Sequence, residues 1–182
     1  MSVSERIAAG PIARSILAEF ESQAAITRRF LERLPEEKLT WKPHPKSMTA
    51  GQLAYHLATV PAEVLRLVQK NPAQAPDGFT FPQPGSGKET LRMLDESIAA
   101  VRELLAPMDD AMMQEMWRLM GGGTVLLAQP RVAFLRDVML SHWYQHRGQF
   151  SVYLRLLEVP VPASFGPSAD EAPPFVQQAQ AK

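Results

Sequence analysis

The placement of proline constrains this chain more than any other feature. Proline lacks an amide hydrogen and its ring collides with the preceding turn, so it suits the first position of a helix and kinks or stops one elsewhere. The chain has 16 prolines among 182 residues, and most fall between segments whose apolar residues recur at steps of three and four. They outline four helices. The first starts at Pro11, carries Ile16, Phe20, Ala24, Thr27, Leu31 and Leu34 on one stripe, and stops at Pro35. The second starts near Ser47 or Thr49, where Thr49-Ala50-Gly51-Gln52 has the form of a capping box, and continues through Leu53, His56, Leu57, Val60, Val64 and Leu67. Pro61 lies inside it and removes the amide that would bond the carbonyl of Leu57. This predicts a kink about one turn beyond His56 and leaves that carbonyl in need of another partner. The third helix runs from about Lys88 to Ala106, ahead of Pro107, and the fourth from Pro130 to about Glu158, ahead of Pro160 and Pro162.

The segments between helices are unequal. Glu36 to Lys46, with Pro43 and Pro45, predicts an extended connection pinned by Leu39 and a largely buried Trp41. Asn71 to Gly87 predicts a long irregular crossover carrying Phe79 and Phe81, long enough to cover the mouth of a site. Its Gly85-Ser86-Gly87-Lys88 lacks the spacing of a phosphate loop and has no strand before it. Met108 to Gln129 predicts a helical turn followed by a small hairpin, Trp117 to Met120 with Thr124 to Leu127. The expected architecture is all-α: an antiparallel four-helix bundle with a long crossover loop and a small hairpin before the last helix. A single domain over residues 1–168 is followed by a partly disordered tail over 169–182, rich in Pro, Ala, Gln and Ser.

Composition narrows the function. With 19 basic and 19 acidic residues, no bulk charge draws the chain to nucleic acid or an anionic membrane. Cysteine is absent, which excludes disulfide scaffolds, cysteine zinc sites and a protein-borne thiol nucleophile. Any thiol chemistry needs a borrowed thiol. No apolar run reaches the length of a signal peptide or membrane span, so the expected setting is cytoplasmic.

Three of the four histidines, His56, His142 and His146, fall on apolar stripes of two long helices. His142 and His146 stand one turn apart on one helix face, a spacing that a single metal ion bridges. Taken singly, each is most simply a hydrogen-bonded core histidine. Burying three together without a shared partner leaves several ring nitrogens competing for few acceptors, and a metal removes that cost. Leu135, Met139, His142, His146, Gln149 or Phe150, Tyr153 and Leu157 form the expected inward stripe. Arg147 is rotated about 100° from it, which suits an interface or a contact behind the ligands rather than coordination. Gln149 and Tyr153 share the histidine face, either orienting a ligand, water or substrate or serving as hydrogen-bonded core residues. His44, between two prolines, has no role. Trp143 stands where a His-Glu-x-x-His metalloprotease carries its general base, which disfavours peptide hydrolysis.

Together these residues resemble a family. Leu34-Pro35-Glu36-Glu37-Lys38-Leu39-Thr40-Trp41-Lys42-Pro43, the run from Ser47 to Leu57, His142-x-x-x-His146-Arg147-Gly148-Gln149, and Pro160-Val161-Pro162 leading to Gly166-Pro167-Ser168 are similar to the DinB superfamily, over roughly Ile12 to Ser168. The resemblance implies a four-helix bundle, a homodimer, and a divalent metal on His56, His142 and His146 with open positions for water. Zinc or nickel suits three imidazoles best, and iron, cobalt and manganese also suit them. Catalytic residues beyond the ligands are not indicated. The leading expectation is a metal-dependent transferase of a low-molecular-weight thiol or similar small nucleophile, acting on a small molecule. The alternatives are a metal-dependent hydrolase of a small substrate and a non-catalytic metal-binding protein linked to stress.

Overall fold

The computed structural model describes residues 9–173 and Val176. The expectations for residues 1–8 and for most of the tail beyond Pro173 lie outside the described residues.

The proline reading locates the long helices. Helix α1, Pro11–Leu31, has proline at its first turn and Arg28 and Arg29 in its last, and buries Ala13, Ile16, Phe20, Ala24, Thr27, Phe30 and Leu31. A single 3-10 turn, Glu36–Lys38, follows. Helix α2, Ala50–Leu67, opens with the capping box: Gln52 N–H donates to Thr49 Oγ1 at 3.0 Å and Thr49 N–H to Gln52 Oε1 at 2.9 Å. Two further amides at its start donate back to the connection, Ala50 to the Trp41 carbonyl at 2.7 Å and Gly51 to the Leu39 carbonyl at 2.8 Å. Trp41 is only partly buried, its ring edge against Tyr153 at 5.6 Å. Helix α3, Gly87–Leu105, is capped by Ser86, which accepts from Glu89 N–H at 3.0 Å. The glycine-serine run is therefore a helix start, as its spacing requires.

The chain is mostly helical, but it is not all-α. Strands β1 (Ala73–Gln74), β2 (Met116–Gly121) and β3 (Thr124–Pro130) form one three-stranded sheet in that order. The hairpin is present: Trp117 pairs with Gln129, Leu119 with Leu127, and Gly121 with Thr124. Gly122 and Gly123 between them have φ of 56° and 79°, the left-handed conformation that a two-residue hairpin turn needs. The unexpected strand is β1, drawn from the crossover and paired parallel to β2, Ala73 opposite Leu119. Asn71 holds it there, donating from Nδ2 to Glu115 Oε1 and the Met116 carbonyl, both at 3.0 Å, and accepting from Arg118 N–H at 3.1 Å. A short helix α4, Asp110–Gln114, leads into β2.

The last helical segment comprises α5, Arg131–Phe134, a π-helical stretch, Leu135–Ser141, and α6, His142–Leu156. Helix α3 packs on α1 and α2, and α6 packs on α2 and α1, so the contacts close into a ring around one core. Trp143 is fully buried in it, stacked on Phe20 at 5.2 Å. No helix among the described residues is long and apolar enough to cross a membrane.

The π-helical stretch corrects the expected stripe. Within it bonds run from i to i−5, as in His142 N–H to the Asp137 carbonyl, and each adds a residue to the turn. Everything downstream is rotated by about 100° relative to an uninterrupted α-helix. The buried set is Leu135, Met139, Leu140, Trp143, Arg147, Phe150 and Leu154. His142, His146 and Tyr153 lie half-buried at the flank of the core, and Arg147 is inside.

Candidate metal centre

His56 comes from α2, and His142 and His146 from the first two turns of α6. The register between these helices follows from Pro61. With no amide at position 61, the carbonyl of Leu57 has no helical donor, and the indole Nε1–H of Trp143 fills the place at 2.8 Å. Leu57 follows His56 and Trp143 follows His142, so one buried hydrogen bond sets the two histidine-bearing turns side by side.

The three imidazoles converge, each offering one ring nitrogen within 4.8 Å of the others. Ring centroids are 5.4 Å apart for His56 and His142, 4.7 Å for His56 and His146, and 4.4 Å for His142 and His146. His146 Nδ1 donates to Gln149 Oε1 at 2.6 Å, which fixes the tautomer and leaves Nε2 as a lone pair. That lone pair faces His142 Nε2 at 2.7 Å. His142 Nδ1 is buried without a hydrogen-bond partner. Burial holds the His56 imidazolium back and lowers its pKa to about 4, with His146 and His142 adding to the effect. Burial also lowers the His146 pKa, against the opposing effect of its hydrogen bond to Gln149. Three imidazoles with converging ring nitrogens, one ring oriented by an outer acceptor, are a donor set of the kind that holds a divalent transition ion. No carboxylate joins the cluster among the described residues.

The surroundings divide the remaining candidates. Gln149 serves the cluster through His146. Tyr153 does not: its hydroxyl donates to the Met48 carbonyl at 3.1 Å. His44 is exposed and accepts from Lys46 N–H at 3.1 Å. Arg147, 3% exposed, points to the α1 side, donating to Gln23 Oε1 at 2.7 Å, the Gln23 carbonyl at 3.2 Å and Thr27 Oγ1 at 3.3 Å. Tyr144 and Phe165 lie against its guanidinium, 5.3 and 4.9 Å from their ring centroids, and burial lowers its pKa. Sequence reasoning put Phe81 on a crossover long enough to cover a site mouth but did not pair it with His56. Its ring stands edge-on to His56 at 5.6 Å, and the only signal for it was the length of the crossover.

The class defined by this fold and site is a mostly helical protein with a three-histidine cluster between two of its long helices. A family model described as the DinB superfamily matches residues 19–150. The chain belongs to the DinB superfamily. Solved structures with the same fold include a DinB-like protein from Bacillus cereus, at TM-score 0.68 and 23% identity over 84% of this chain and 97% of that one. Others are a DinB-like protein from Bacillus subtilis, at TM-score 0.62 and 16% identity over 86% and 99%, and a DinB family member from Exiguobacterium sibiricum, at 0.57 and 17% over 82% and 94%. No curated protein matches the chain.

Proposed function

We propose that His56, His142 and His146 hold one divalent transition metal, zinc or nickel before iron, cobalt or manganese, and that the protein transfers a low-molecular-weight thiol to a small electrophilic substrate. When bound, the ion supplies Lewis acidity and lowers the pKa of a thiol or water at its open position. The observation that favours the thiol is that, among the described residues, no carboxylate joins the cluster. A carboxylate beside the ion would serve as general base for an attacking water, and the cluster's neighbours Phe81 and Gln149 do not titrate. A thiol ionises near neutral pH without such a base. The chain has no cysteine, so the thiol is external. Its sulfur forms the new bond to the electrophilic carbon as the leaving group departs with the electron pair of the bond that breaks.

In the chain's own part of this chemistry, Gln149 keeps the His146 proton on Nδ1, and the Trp143–Leu57 bond holds His142 against His56. We read the ring of α1, α2, α3 and α6 as the superfamily's antiparallel four-helix bundle, and the solution form as a homodimer. Elemental analysis of protein purified without metal-affinity steps tests the site: about one ion per chain, lost in His56→Ala and His142→Ala. Thiol consumption by the loaded protein across a panel of small electrophiles tests the reaction. Product formed without any thiol would turn the reading to hydrolysis.

A further inference from the structure

We infer that Phe81 is the specificity-determining residue of the histidine site, the apolar wall against which a small ligand lays an aromatic or bulky aliphatic group while one donor atom meets the metal. This rests on the metal reading of the cluster and is independent of the thiol reading.

The crossover leaves the sheet after Gln74 and returns over the start of α2. It is fastened there at two points within about two turns before His56 and at a third on the preceding connection. Gln52 Nε2 donates to the Phe81 carbonyl at 2.8 Å, and the same side chain completes the helix cap. Thr49 Oγ1 donates to Gln83 Oε1 at 2.6 Å, and Gln83 Nε2 donates to the Leu39 carbonyl at 3.3 Å. Pro82 and Pro84 on either side of Gln83 fix the local backbone. The approach is close enough to need glycine at position 51, where a Cβ would collide with Gln83 and lie 2.8 Å from the Leu39 carbonyl oxygen. The ring of Phe81 is thus positioned relative to His56 by the helix that carries His56.

What the ring does there follows from its exposure. Its edge-on contact with His56 has an interplanar angle of 78°, yet the residue remains 40% exposed. A phenyl group held in place beside a polar cluster, and still open to solvent, has apolar surface left to cover. Among the described residues, the ring contacts and side-chain hydrogen bonds of the three imidazoles outside the cluster are to one apolar ring, Phe81, and one neutral amide, Gln149. Neither neighbour carries a charge to pair with a charged substituent, so contact with them selects by shape and apolar area. Half-burying a ligand's phenyl ring on this wall contributes about tenfold in affinity.

The test uses cobalt(II)-loaded protein with imidazole and 4-phenylimidazole as probes, their dissociation constants read from the visible d–d bands. Wild type is expected to bind 4-phenylimidazole about tenfold more tightly than imidazole. Phe81→Ala brings that ratio near one, with the imidazole constant and the ligand-free cobalt spectrum unchanged. Phe81→Leu, which keeps the loop packed should alanine loosen it, retains about a third of the preference. A ratio that is the same in wild type and both variants, or near one in wild type, overturns the assignment of Phe81 alone. Wild-type protein that takes up no cobalt overturns the metal reading and the wall with it.

Discussion

The indole of Trp143 donates its only hydrogen bond to the carbonyl of Leu57, 2.8 Å away and 86 residues earlier in the chain. The carbonyl is free because Pro61 stands one turn later in α2. The residue that interrupts one helix therefore creates the docking point for another, beside the histidines of both.

Trp143→Phe keeps an aromatic ring in the core and removes the donor. It is expected to cost about 1–3 kcal/mol, the penalty for a buried acceptor left unpaired. In a Pro61→Ala background the new amide reaches Leu57, and the loss on Trp143→Phe shrinks by about 1 kcal/mol. Urea denaturation of the four proteins in the cycle measures this. Additive losses would mean that the indole acts by packing alone.

Gln149→Leu removes the acceptor that orients His146. Metal affinity is expected to fall by about 10–100-fold, measured by competition with a chelating dye, while Gln149→Glu keeps the acceptor and the affinity. Equal affinity in Gln149→Leu would show that packing alone orients the ring.

Metal-free protein carries a pH signature. His56 resists protonation in the folded state until about pH 4, whereas the unfolded chain takes up that proton near its ordinary value of about 6.5. The unfolded state binds more protons between these values, so stability declines as pH falls from about 6.5 to 4. Urea midpoints across this range should drop in wild type and drop less in His56→Gln. Parallel curves would remove His56 as a source of the dependence.

Arg147 is buried among neutral hydrogen-bond acceptors and two aromatic rings, on the α1 side of α6. Arg147→Ala is expected to cost about 2–4 kcal/mol through lost packing and unpaired acceptors. Arg147→Met, which keeps the stem and removes a buried charge, costs less than half as much. Metal affinity stays within about threefold in both, because the side chain faces away from the cluster. A large loss of affinity would place Arg147 in support of the site.

Much of this was legible in the sequence because proline acts locally. Pro11, Pro35, Pro61 and Pro107 mark helix boundaries or a gap by their own chemistry, and the orphaned carbonyl of Leu57 followed from position 61 alone. The three histidines were found because their type and spacing are local as well. What failed depended on tertiary context. The strand at Ala73–Gln74 exists because β2 lies beside it, and a two-residue segment has no periodicity of its own. The π-helical stretch leaves no mark in a search at helical period, so beyond Met139 the expected stripe favours His142, His146 and Tyr153 where the structure buries Trp143, Arg147 and Leu154. Phe81 reaches His56 across a loop whose path no spacing predicts.

The interruption at Leu135–Ser141 also divides the last helix into two independently phased halves. Residues before it obey one rotational setting and residues after it another, so the orientation of His142 and His146 is adjustable without disturbing how Phe134 and Leu135 seat in the core. A single-residue deletion within those seven positions would remove the extra residue, restore a continuous α-helix and leave the histidines facing His56. A return to i to i−4 bonding at constant length would instead turn the downstream face by about 100° and carry them away.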